Sequence, residues 1–71
     1  MPPMTEEKLR ELRLQYQAAY TAYQSCVDAL TALSFKGERA SAELLENEAK
    51  ALRTLNEARA LYRDALLEIS K

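Results

Sequence analysis

From Leu9 the apolar positions advance in alternating steps of three and four: Leu9, Leu12, Tyr16, Ala19, Tyr23, Cys26, Leu30 and Leu33. That spacing holds one stripe of a helix against a single neighbour, as in a heptad seam. A second, wider stripe follows. Leu45, Leu52, Leu55, Tyr62, Leu66 and Ile69 form its expected spine, and Ala51, Ala58 and Ala65 repeat every seven residues beside it. Ala22 and Ala29 repeat in the same way on the first segment. Alanine at heptad spacing lets two helix backbones approach closely.

The signals between and around the stripes predict two helices, about 5–35 and 41–70. Thr5 can cap the first, followed by Glu6 and Glu7, whose charge suits the positive end of the helix dipole. Gly37 can take the left-handed conformation that ends it. Ser41 is the natural cap of the second, with Glu43 in its first turn. Each helix should be roughly 45 Å long at 1.5 Å per residue. The link, about 36–40, is short enough to force the helices antiparallel. The whole, residues 1–71, reads as one helical-hairpin domain, with 1–4 as a disordered or extended lead-in. Folding about Gly37 and Glu38 is expected to pair Leu30 with Leu45, Cys26 with Ala49, Tyr23 with Leu52, and Ala19 with Leu55. Further from the turn it pairs Tyr16 with Ala58, Leu12 with Tyr62, and Leu9 with Leu66.

Composition agrees with an all-α fold. Glycine occurs once, and both prolines precede the first stripe. At 48% apolar and 30% charged residues, the chain is neither a disordered nor a membrane composition. No run is apolar and long enough for a transmembrane helix. The first residues lack the basic-then-apolar order of a secretory signal. The lone cysteine suits a reducing compartment, so the expected location is cytoplasmic.

Size then becomes the constraint. A 71-residue chain rarely fills a stable core alone. Cys26 has no partner within the chain for a disulfide, and with no histidine a structural metal is not expected. Self-association is the remaining device. The charge pattern points to where. From Leu14 to Val27 there is no charged residue, whereas the second helix carries charges throughout. Charge depletion with tyrosine enrichment marks an interface. The candidate partner interface is therefore Tyr16, Tyr20, Tyr23 and Val27, flanked by Ala22 and Ala29. The simplest closure is a two-fold dimer, giving a four-helix bundle. Glu48 and Arg59 interrupt the second stripe symmetrically about positions 53 and 54. In an antiparallel pair of second helices, Glu48 of one chain would meet Arg59 of the other and fix the register.

Chemistry is harder to place. Without histidine there is no Ser-His or Cys-His pair, and no glycine-rich phosphate loop is present. No catalytic, cofactor-binding or metal site is expected, and the protein is not expected to be an enzyme. Cys26 lies on the seam as a small apolar residue. Glu43, Glu46 and Glu48 read as dipole complements, with Glu46 and Lys50 in the favourable i, i+4 order. Tyr16, Tyr20 and Tyr23 share a face that can line a slot for a flat ligand or a partner helix. Lys8, Arg10 and Arg13 are the one basic cluster, interleaved with Glu6, Glu7 and Glu11. Pairing of Glu6 with Arg10 is the expected use of those charges. With a net charge of −1 there is no general pull towards nucleic acid or an anionic membrane.

In helix length, short turn and alanine-bearing heptads, the chain resembles the plasmid repressor-of-primer proteins and the small hairpin chaperones of bacterial secretion systems. The first resemblance implies a small RNA-binding regulator. The second implies an adaptor or chaperone-like subunit acting through protein–protein association. The basic residues of the first helix stop at Arg13, which favours the second class. The expected partners are a second copy of the chain and an unidentified protein, not a membrane or a nucleic acid.

Overall fold

A computed structural model describes residues 5–70 as two long helices folded against each other. Helix α1 spans Glu6–Phe35 and helix α2 spans Ala42–Ile69. The expected lead-in, 1–4, lies outside the described residues. Both expected caps are in place. The Thr5 hydroxyl accepts from the Lys8 N–H at 3.1 Å, and the Ser41 hydroxyl accepts from the Leu44 N–H at 3.1 Å. Each satisfies a donor that the first helical turn leaves without a carbonyl partner.

The turn closes α1 with a Schellman arrangement. The Glu38 N–H donates to the Leu33 carbonyl at 2.9 Å, and the Gly37 N–H donates to the Ser34 carbonyl at 3.1 Å. Gly37 sits at φ +72°, the left-handed region where a side chain is strained. The chain then runs extended into Ser41 and reverses. The result is a rod of about 52 × 16 × 16 Å.

The α1 stripe lies inward as its spacing predicts. All eight of its residues, Leu9 to Leu33, are buried or half-buried. The α2 stripe does not follow expectation. Leu44, Glu48, Ala51, Leu55, Ala58, Tyr62 and Ala65 are the residues turned towards α1. Leu45, Leu52, Leu66 and Ile69, assigned to the spine, are 37–52% exposed. The two rows flank the Leu55–Tyr62 row on opposite sides, and only one can turn fully inward with it. The leucine row of step seven also contains Arg59, whose guanidinium cannot enter an apolar seam without a counter-charge. The alanine row carries no charge, and the α1 tyrosines opposite supply the missing volume.

This choice alters the expected pairing. Ala19 and Leu55 are both buried at mid-rod, in keeping with their expected meeting. Tyr16, however, packs its ring on Tyr62, with centroids 5.9 Å apart and planes tilted by 43°. Tyr23 lies near Glu48. Among the described residues only Leu12, Ala19, Leu55 and Ala65 are buried, so the seam is a thin core.

Candidate partner-binding face

A two-helix rod has two long sides flanking its seam. One side is marked by a shallow groove lined by Gln15, Ala18 and Ala22 of α1 and by Thr54, Ala58 and Leu61 of α2. Residues two apart on a helix point roughly 160° apart. Tyr20 therefore lies on the side opposite Ala22, and Val27 on the side opposite Ala29. On α2, Leu45, Leu52 and Arg59 flank Leu55 on the side away from Thr54 and Leu61. The second side thus gathers Tyr20 and Val27 from α1 with Leu45, Leu52, Arg59 and Leu66 from α2.

The six expected interface residues do not form one surface. Tyr16 and Tyr23 are half-buried in the seam, Tyr20 and half-buried Val27 occupy one side, and exposed Ala22 and Ala29 turn to the other. Sequence reasoning missed the leucines of the Tyr20 side. Their signal was present in the heptad spacing of Leu45, Leu52, Arg59 and Leu66, where a charge at a repeat position marks an outward row. It also missed Phe35, which is 88% exposed beside the turn.

Glu48 stands at the edge of the seam. Its carboxylate lies near enough to the Tyr23 phenol to act on that group's ionisation. The Tyr23 phenol is held above its ordinary value of 10.0, first by desolvation, then by the negative charge and hydrogen-bonding pull of the nearby Glu48 carboxylate. Both residues lean from the seam towards the Tyr20 side, because Tyr23 follows Tyr16 and Tyr20 there and Glu48 lies between Leu45 and Leu52. Arg59 is exposed about three turns further along α2, and with Asn56, Ala60 and Arg63 it lines a shallow depression. Among the described residues the ion pair within 4 Å is Lys8–Glu11, at 3.5 Å. The expected Glu6–Arg10 and Glu46–Lys50 pairs are not closed, and among the described residues neither Arg59 nor Arg63 has a carboxylate within 4 Å.

The tyrosines do not build an enclosed slot. Tyr16, Gln17, Tyr20 and Thr21 line an open depression on α1 alone, and Tyr23 is not part of it. Arg10 and Arg13 share their surface with Glu6 and Glu7, so the basic cluster is as mixed in space as in sequence. Among the described residues no three acidic or thiol side chains come together as a metal site, and no helix is long and apolar enough to cross a membrane. No family model, curated protein or solved structure matches the chain.

Proposed function

We propose that this protein is a non-catalytic helical hairpin acting through protein–protein association, its core completed by a two-fold partner to form a four-helix bundle. One observation carries the reading. Among the described residues four are buried, while nine large apolar side chains, among them Tyr20, Leu45, Leu52 and Leu66, are exposed. Single exposed leucines are ordinary, but several gathered along one side of a thin rod are a surface built for covering. Cytoplasmic residence belongs to this reading, supported by a lone half-buried cysteine.

The test is mass in solution by light scattering across a concentration series. The expected value is twice the chain mass of 8.1 kDa. A cooperatively folded species of single-chain mass at every concentration would overturn the proposal.

A further inference from the structure

The side that carries Tyr20 and Leu52 also carries charges suited to its own copy. Its α2 flank reads Leu45, Glu48, Ala49, Leu52, Asn56, Arg59, Arg63 and Leu66. Glu48 is the one carboxylate in that row. Arg59 and Arg63, one turn apart, lie towards the open end of the hairpin, with no ion-pair partner within 4 Å among the described residues. Acid and base therefore occupy opposite halves of one face. A two-fold axis lying across the rod, near positions 53 and 54, superposes the halves.

Building on the dimer reading, we infer that this face, and not the alanine groove, packs on a second copy with the hairpins antiparallel. Glu48 of each chain then sits opposite the Arg59–Arg63 depression of the other. Three features of the face support this occupant. The charge pattern is self-complementary only when the copies run antiparallel; a parallel arrangement sets Arg59 against Arg59. The middle of the face is apolar, with Tyr20 and Leu52 near the axis and Leu45 reaching towards the Tyr62–Leu66 end of its mate. The area is adequate, since a long side of a 52 × 16 Å rod projects about 800 Å², the share per partner of a standard stable interface. The Glu48 carboxylate has about four acceptor positions, so its closeness to Tyr23 leaves room for a guanidinium of the other chain.

The experiment has two arms, both read on the full chain. Glu48→Arg and Arg59→Glu are each expected to weaken the dimer by about tenfold or more in Kd, and the double reversal is expected to recover most of that loss. In a Cys26→Ser background, Leu52→Cys should form an intermolecular disulfide under mild oxidation, and Leu61→Cys, on the groove side, should not. A dimer that ignores both charge reversals, or that crosslinks through Leu61→Cys and not Leu52→Cys, overturns this face and register while leaving self-association intact. A wild-type monomer at every concentration removes both.

Discussion

Tyr23 on α1 and Glu48 on α2 are neighbours across the seam, and the carboxylate raises the proton affinity of the phenol within an otherwise apolar stripe. The pair explains how a carboxylate is tolerated at an inward position of α2. It also couples the seam to pH. Because the folded state holds Tyr23 above 10.0, it binds that proton more tightly than the unfolded chain does. The associated stability is complete below pH 10.0 and is lost as pH rises through the elevated folded value. Glu48→Gln should bring Tyr23 ionisation down towards the ordinary range. It should not bring it fully there, because desolvation is the larger cause. A carbon NMR titration of the Tyr23 ring reads this directly, and an unchanged midpoint would show that Glu48 does not act on the phenol.

The turn depends on Gly37. Nothing lies within 4 Å of a Cβ built there, so the cost of a side chain is conformational and not steric. Gly37→Ala should destabilise the hairpin by about 1 kcal/mol, the penalty of left-handed backbone for an L-residue. Gly37→Asn should cost less, since asparagine tolerates that region. Urea unfolding followed by circular dichroism separates the two. Equal effects would point to a lost packing contact instead.

Alanine in the seam sets the distance between the helices. Ala65 is 2% exposed, and Ala65→Leu forces the backbones apart, with an expected cost of about 1–3 kcal/mol. Ala22→Leu adds the same atoms to an exposed flank and should stay within about 0.5 kcal/mol of wild type. Thermal unfolding of the pair checks the contrast. A strong effect at Ala22 would place the groove side inside an interface and argue against the Tyr20 side.

Helix limits, caps and turn were legible because each rests on local chemistry. Thr5 and Ser41 cap through their own hydroxyls, and Gly37 supplies its own backbone freedom. The α1 stripe was legible because only one row of that helix is continuously apolar. The α2 stripe was not, because two heptad rows competed and size alone favoured the leucines. What decides between them is the facing helix: the Tyr16 ring packs on Tyr62, and the small alanine row beside it lets the two backbones close up. The same non-local fact divided the expected interface. Residues adjacent in sequence, such as Tyr20 and Ala22, fall on opposite sides once α2 has taken its place.

Leu55 and Leu52 separate folding of the hairpin from its association. Leu55 is 9% exposed and packs at the centre of the seam, so Leu55→Ala should cost about 2–5 kcal/mol by leaving a cavity. With so thin a core, that variant is expected to be largely unfolded at micromolar concentration. Leu52 is 37% exposed within one hairpin, and its truncation removes little from the seam. In a dimer that unfolds as it dissociates, the midpoint rises with protein concentration. Leu52→Ala should therefore lower the melting temperature at every concentration and raise Kd, while its helices and seam contacts persist at high concentration. Circular dichroism melts over a hundredfold concentration range read both effects together. If Leu52→Ala melts like wild type throughout, the leucine row is an ordinary solvated flank and the covering partner sits elsewhere.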